Sequence, residues 1–176
     1  MDWPEGSAGN GLKYHASKIL AHQATKKWIE ENKPEFSLVT LHPSFVLGHS
    51  LIQTSADDIS GINAWFWSSL RADKPQFPPV FVDVRDIAEA HLRSATVSTT
   101  DQATEFLLSG FEVSWDQVNS FIKADYPTVD LKWTSPFAEG PTVDTTRAEK
   151  LLGMKWRSME EIIGSLLSQQ LTFARK

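Results

Sequence analysis

Helical and strand-like segments alternate along most of this chain, and that alternation limits the folds it can adopt. Short apolar runs with β-branched or aromatic members predict strands, and longer segments with apolar residues at helical spacing predict helices. The predicted strands are 36–42, 80–82, 105–109 and 129–131, and the predicted helices are 13–32, 56–71, 87–98, 114–124, 146–153 and 158–173. This order is typical of an α/β protein with a mainly parallel sheet.

The first strand is followed by a turn that is a candidate ligand site. The turn is Pro43-Ser44-Phe45-Val46-Leu47-Gly48. In open parallel sheets, ligands bind at the carboxyl ends of the strands. The glycine-rich residues 1–12 are a weaker candidate, because their G-x-x-G-x-G order differs from the dinucleotide-binding G-x-G-x-x-G and no buried strand precedes them. We therefore predict a loop over 1–12.

Composition excludes several classes of function. With 17 basic and 22 acidic residues the formal charge is −5, which disfavours binding to nucleic acid or to an anionic membrane. The chain has no cysteine, so disulfides and thiolate chemistry are excluded. There is no apolar run of membrane-spanning length, and the acidic start argues against a signal peptide. We expect a cytoplasmic protein.

One short motif carries candidate acid–base chemistry. In Tyr14-His15-Ala16-Ser17-Lys18, the tyrosine and the lysine are four residues apart on the first predicted helix, so they lie on one face of it. A positive charge beside a phenol stabilises the phenolate, which makes the pair a candidate general acid–base unit. Because Tyr-x-x-x-Lys also occurs by chance, its weight depends on the rest of the chain.

Metal and hydrolase chemistry lack a complete set of residues. The five histidines form no His-x-x-x-His pattern and no carboxylate cluster completes a ligand set, so we predict no metal site. There is also no G-x-S-x-G nucleophile motif. The aromatic residues Trp65, Trp67 and Phe77 leave two alternatives open, since they belong either to the hydrophobic core or to the wall of a pocket for an apolar or aromatic substrate.

Four stretches together resemble a known family. They are Tyr14-x-x-x-Lys18, the strand and turn 36–48, the strand and helix start 81–91, and the segment 144–153. In this order and spacing, the chain resembles the C-terminal half of an extended short-chain dehydrogenase/reductase of the NAD-dependent epimerase/dehydratase group. The branch it most resembles comprises fungal ketoreductases, dihydroflavonol reductases and cinnamoyl-CoA reductases.

The resemblance implies roles for particular residues. Tyr14 would be the general acid of carbonyl reduction, and Lys18 would assist it and hydrogen-bond the nicotinamide ribose. Pro43, Ser44 and Val46 would form the turn beside the nicotinamide ring. The cofactor implied is NADP or NAD, and the substrate is a small apolar or aromatic aldehyde or ketone.

The resemblance also implies a fold and an organisation. We expect a partial Rossmann-like fold, with 1–52 and 80–98 as its core and 53–79 and 99–176 as a small substrate-side α/β subdomain, in a single compact unit. The family's glycine-rich phosphate loop and its catalytic serine or threonine are not found before Tyr14. We therefore expect this chain to lack the N-terminal Rossmann half and to need a partner, a homodimer by default, to cover its sheet edge.

That expectation leaves a second function open. A truncated, redox-inactive relative would use Tyr14 and Lys18 for proton transfer without a cofactor, as in isomerisation, dehydration or cyclisation, or would serve as a binding or scaffold protein.

Overall fold

The computed structural model describes residues 6–98 and 101–174 and shows an α/β fold. Within those ranges it has six α-helices, four short strands and one 3₁₀ turn, at Ala56–Asp58. The helices are α1 Gly6–Asn32, α2 Gly61–Ser69, α3 Val84–Ser94, α4 Trp115–Asp125, α5 Thr146–Leu152 and α6 Met159–Ala174. The strands are β1 Leu38–Pro43, β2 Phe45–Leu47, β3 Phe81–Asp83 and β4 Ala103–Leu108. Among the described residues, no helix is long and apolar enough to span a membrane.

The chain divides into two compact units. The first comprises residues 1–40 and 98–104, and the second comprises 41–97 and 105–176. In the first unit, Trp28 stacks on Phe36 with ring centroids 6.4 Å apart, and Gln102 donates a hydrogen bond to the carbonyl oxygen of Pro34. The predicted division between a Rossmann-like core and a substrate-side subdomain follows other boundaries and stays a prediction.

The strands pair in parallel, as the alternation of helices and strands predicts. β1 pairs with β4, and the backbone N–H of Ser44, just after β1, donates to the carbonyl of Leu108. β2 pairs with β3 in parallel, with Val46 opposite Val82. Parallel strands need crossover connections, and α2 and the loop after it provide the one between β2 and β3.

Aromatic residues fill the core of the second unit. Phe66, Trp115 and Trp133 pack together beneath α6, which contributes Ile162 and Leu166. Both indoles keep their hydrogen bonds when buried, as indole N–H groups usually do, since Trp115 donates to the carbonyl of Phe77 and Trp133 to that of Ser69. These two large side chains are thus buried without losing their hydrogen bonds.

Several helix boundaries are confirmed. The sequence has three capping-box patterns, at Ser114–Gln117, Thr146–Glu149 and Ser158–Glu161. The two that begin with serine form, with each partner bonding the other's backbone. The third does not, because α5 has Thr145 at its N-cap, without a side-chain cap bond. α5 ends at Gly153, whose φ of +63° is the left-handed conformation that favours glycine at helix ends.

Other sequence predictions were wrong. α1 begins at Gly6, so residues 6–12 are helical and not a loop. The turn after β1 contains a further strand, β2, and residues 129–131 form no strand. α3 begins at Val84, before the predicted start at residue 87, for which Asp86 would be the cap; the observed cap is Asp83, whose carboxylate accepts the backbone N–H of Arg85. Very short strands and glycine-rich helix starts carry little periodicity, which explains these errors.

Candidate active site

α1 brings Tyr14 and Lys18 together, as their spacing predicts. The Lys18 Nζ lies 5.4 Å from the centroid of the Tyr14 ring, within the range of a cation–π contact. The Tyr14 side chain is exposed, and its ring edge also meets His15. Ser17 hydrogen-bonds the carbonyl of Tyr14 within the helix, so its hydroxyl is directed to the backbone. The pair is thus an accessible phenol beside an ammonium.

The candidate cofactor turn lies in the second unit and runs from the last residue of β1 into β2. Pro43 is exposed, and Ser44 and Val46 are half-buried. The Ser44 hydroxyl donates to the hydroxyl of Ser109, at the end of the neighbouring strand β4, at 3.1 Å. The carboxyl ends of β1 and β4 therefore meet at this turn, where ligands bind in α/β proteins.

Gly48 ends this segment in a conformation that only glycine adopts readily. Its φ is +134°, and a Cβ at this position would lie 3.2 Å from Val84 Cγ1. The side-chain amide of Asn63 accepts the Gly48 N–H at 3.2 Å and donates to the Gly48 carbonyl at 2.7 Å. α2 therefore holds the backbone of Gly48 from both sides.

The predicted substrate aromatics occupy the aromatic cluster that flanks the core. Phe77 is buried and packs against Phe45 and Trp65, with centroids 4.8 and 5.5 Å away. Trp65 is partly exposed and donates to the side chain of Gln76, while Trp67 lies beneath the guanidinium of Arg71. Their substrate role stays a prediction.

An ion pair at the start of α3 went unpredicted. The fully buried Asp83 carboxylate accepts from Nε and Nη2 of Arg85, both at 2.8 Å. Hydrogen bonding to Asp83 is the main cause that raises the pKa of Arg85, and nearby Glu161 and Asp86 act in the same direction. An Asp-x-Arg pattern at a strand-to-helix junction is the signal that could have predicted it.

A second buried carboxylate lies one turn further along. Asp86 accepts from both the backbone N–H and the guanidinium of Arg157, in the loop before α6. Burial nevertheless raises the pKa of Asp86, because it outweighs the opposing contributions of Arg157. Asp86 and Arg157 are 71 residues apart in the sequence, so no local sequence pattern predicts their contact.

A cleft of about 680 Å³ opens beside the candidate cofactor turn. Its lining comes from the 46–52 segment, Asn63 of α2, Ser165 of α6, and Val84, Arg85 and Ala88 of α3. The walls are mainly apolar, and within the part of the chain that the structure describes Arg85 is their only arginine or lysine. None of the predicted substrate aromatics lines this cleft.

Comparison with known proteins finds relatives that are reductases. No family model matches it. The ketoreductase sphI of Aspergillus fumigatus is 36% identical over 168 residues, which are 92% of this chain and 50% of that protein. The NADPH-dependent methylglyoxal reductase GRE2 of Saccharomyces cerevisiae is 28% identical over 177 residues, which are 91% of this chain and 51% of that protein. The chain spans about half the length of the curated relatives it matches.

Solved structures of reductases also match this chain. The yeast methylglyoxal/isovaleraldehyde reductase Gre2 complexed with NADPH matches with a TM-score of 0.71 and 26% identity, over 92% of this chain and 55% of that one. Vestitone reductase from alfalfa, Medicago sativa, matches with a TM-score of 0.72 over 93% of this chain and 53% of that one, and at 19% identity it supports the fold alone. By sequence and by fold, this chain is the counterpart of the C-terminal half of an extended short-chain dehydrogenase/reductase.

Proposed function

We propose that this chain supplies the acid–base and nicotinamide-side residues of an NAD(P)H-dependent carbonyl reductase. The substrate is a small apolar or aromatic aldehyde or ketone. The observation that carries the proposal is the Tyr14–Lys18 pair, an exposed phenol 5.4 Å from an ammonium on one helix. Two relatives named as a ketoreductase and an NADPH-dependent reductase support the reaction class.

The residues present fit the nicotinamide end of such a cofactor. Within the described part of the chain, neither the Tyr14 hydroxyl nor the Lys18 ammonium has a hydrogen-bond or ion-pair partner, so both have donors to offer a ribose or a substrate. Pro43, Ser44 and Val46 supply a turn with two apolar members, which suits the face of an uncharged ring. NADP and NAD share this end, and both remain candidates.

Tyr14 performs the acid step in this proposal. When bound, the cofactor supplies the hydride to the carbonyl carbon. The Tyr14 hydroxyl donates its proton to the carbonyl oxygen, so that the product is an alcohol and the residue becomes a phenolate. The Lys18 ammonium stabilises that phenolate through its charge until a proton from solvent restores it.

Cofactor titration and a tyrosine variant test the proposal together. NADPH should quench the protein's tryptophan fluorescence at micromolar concentration, and the chain should oxidise NADPH with an aldehyde such as benzaldehyde. Tyr14→Phe should keep binding and lose about 10²–10⁴-fold in rate, the usual contribution of a general acid. Tyr126→Phe is the matched control, because Tyr126 is the other tyrosine and hydrogen-bonds Gly164 and Ser168 instead.

Other results would point to the second candidate. If millimolar NADPH does not bind, or if Tyr14→Phe reduces the aldehyde at the wild-type rate, the reductase proposal is wrong. The same Tyr14–Lys18 pair can still move protons without a hydride, which is the redox-inactive alternative. Isomerisation or dehydration assays without cofactor would then be the next measurement.

We also propose that a partner, a homodimer by default, covers part of the first unit. Four large apolar side chains of α1 are exposed, namely Leu12, Ile19, Leu20 and Trp28. Exposed apolar patches of this kind mark interaction sites. Light scattering coupled to gel filtration should give the mass of a dimer, and a monomer at micromolar concentration would contradict it.

A further inference from the structure

The loop that borders the apolar cleft is held at three points by side-chain amides. Asn63 bonds both backbone groups of Gly48, and Gln169 does the same for Ser50, accepting its N–H at 2.9 Å and donating to its carbonyl at 2.7 Å. The buried side chains of Gln53 and Gln170 exchange two hydrogen bonds, at 3.0 and 2.9 Å. The loop is therefore fixed on α2 and α6 before any ligand arrives.

Two large apolar side chains are exposed at the tip of this fixed loop. Leu51 is 94% exposed and Ile52 is 85% exposed, although the residues on either side are bonded to α6. Both line the cleft, together with Val46, Val84 and Ala88. Holding such residues in water has no benefit for folding, so the arrangement suits a ligand that covers them.

Arg85 lines the cleft and is paired with the buried carboxylate of Asp83. The Asp83 side chain is fully buried, while the Arg85 side chain is 48% exposed. Asp83 uses Nε and one N–H of Nη2, which leaves the Nη1 group and the second Nη2 hydrogen to donate. Because Asp83 fixes the side chain in place, a ligand that accepts from it does not have to order the arginine.

The charge around Arg85 selects the kind of acceptor. Asp83 balances the charge of the Arg85 guanidinium, and Arg157 balances the charge of the nearby Asp86. Glu161 adds one further negative charge in the vicinity. The local sum is therefore one negative charge, so an anionic head group gains no net attraction. A neutral carbonyl oxygen accepts the remaining N–H groups without that repulsion.

We propose that this cleft binds a flexible aliphatic carbonyl compound, with its chain against Val46, Leu51 and Ile52 and a neutral carbonyl oxygen on Arg85. The volume of about 680 Å³ lies in the range of small-molecule sites. The ligand is separate from the substrate of the proposed reduction, because its carbonyl oxygen is held by Arg85 and not by Tyr14. Binding itself is measured without cofactor, so the two proposals fail separately.

An NMR titration with two ligands of equal chain length tests the site. 2-Octanone should shift the backbone amides of the 47–52 loop and of Ala88, and octanoate should bind at least about fivefold more weakly because of its charge. Ala88→Phe fills the cleft from the exposed face of α3 without touching the ion pair, and should weaken 2-octanone binding about tenfold or more. Leu92→Phe, one turn along α3 and outside the cleft, should bind as the wild type does.

Three results would overturn the proposal. The first is that saturating 2-octanone shifts no amide, or shifts only amides outside the 47–52 loop and Ala88. The second is that octanoate binds as tightly as 2-octanone. The third is that Ala88→Phe binds 2-octanone as the wild type does. The Arg85 contact has its own test, since Arg85→Lys keeps the charge beside Asp83 but loses the planar fork of donors. Weaker 2-octanone binding by this variant supports the contact, and unchanged binding rejects it.

Discussion

The carboxylate of Asp83 holds the guanidinium of Arg85 in two hydrogen bonds of 2.8 Å, at the point where β3 becomes α3. The same carboxylate accepts the backbone N–H of Arg85 and so caps the helix. One buried acid thus fixes a helix start and orients the only guanidinium among the described residues that line the apolar cleft. The stability of this junction and the chemistry of the cleft depend on the same group.

Replacing the acid should therefore weaken both. Asp83→Asn keeps one acceptor but loses the charge and the second oxygen, so the free energy of unfolding should fall by about 2 kcal/mol, the range for a lost charged hydrogen bond. Urea denaturation followed by circular dichroism measures this. Asp57→Asn, an exposed acid in the 3₁₀ turn, should change stability by less than about 0.5 kcal/mol. Equal effects of the two variants would contradict the role of Asp83.

Two glycine substitutions should change stability in opposite directions. Gly48 has a φ of +134° and little room beside Val84, so Gly48→Ala should destabilise the protein by about 1–3 kcal/mol. Gly11 lies within α1 and a Cβ there meets nothing within 4 Å, so Gly11→Ala should favour the helix by about 0.5–1 kcal/mol. Denaturant midpoints and slopes of the two variants, measured side by side, check the prediction. A stabilising Gly48→Ala would mean that the backbone at Gly48 is not strained.

Much of this architecture could be predicted from local sequence patterns. The α/β alternation depends on the local pattern of apolar residues, and the two Ser-led capping boxes and the Tyr14–Lys18 pairing depend on residues three or four apart. All of these formed as predicted. The start of α1 was not predicted correctly, because the low helix propensity of its glycines predicted a loop. β2 was missed because three residues give no measurable alternation.

The cleft could not be predicted in the same way. Its rim depends on Gln53 meeting Gln170 and on Ser50 meeting Gln169, contacts that span 117 and 119 residues. Glutamine in an amphipathic helix normally predicts an exposed position, and only the fold shows that these two amides are buried. Long-range polar pairs of this kind have no periodicity that a sequence reveals.

Removing one of these amides should loosen the loop. Gln169→Leu leaves the N–H and carbonyl of Ser50 without their partner, so the Ser50 amide should exchange its hydrogen faster by about tenfold or more, equivalent to about 1.4 kcal/mol of local opening. Native-state hydrogen exchange by NMR measures it. Thr172→Ala, on the same helix and exposed, should leave the Ser50 exchange rate as it is. Unchanged protection in Gln169→Leu would show that the clamp does not hold the loop.

The role proposed for Lys18 separates it from other lysines of α1. Lys18→Met removes the charge that stabilises the Tyr14 phenolate, so NADPH-dependent reduction should fall by about 10²-fold or more. Lys27→Met removes a lysine whose exposed ion pair with Glu31 lies 3.7 Å apart, and it should keep the wild-type rate. Steady-state rates at saturating cofactor check both. Equal rates for Lys18→Met and Lys27→Met would reject the role of Lys18.

Asp86 should give the stability of this protein an unusual pH dependence. Its pKa is raised in the folded state, chiefly by burial, so the folded protein holds this proton more tightly than the unfolded chain. As pH rises above about 4, the unfolded chain ionises first, and the contribution of Asp86 to stability falls until the folded group has also ionised. The asparagine of Asp86→Asn does not ionise, so the stability of this variant lacks this decrease with pH.

The comparison of Asp86→Asn with wild type isolates that effect. The unfolding free energy of the variant, minus that of the wild type, should increase from about pH 3 to about pH 7 and level off above the raised pKa. Chemical denaturation at a series of pH values measures the difference. Asp73→Asn, an exposed acid, should give a nearly flat difference over the same range. A difference that decreases with pH would mean that the ion pair with Arg157 outweighs burial, and that the pKa of Asp86 is lowered by folding.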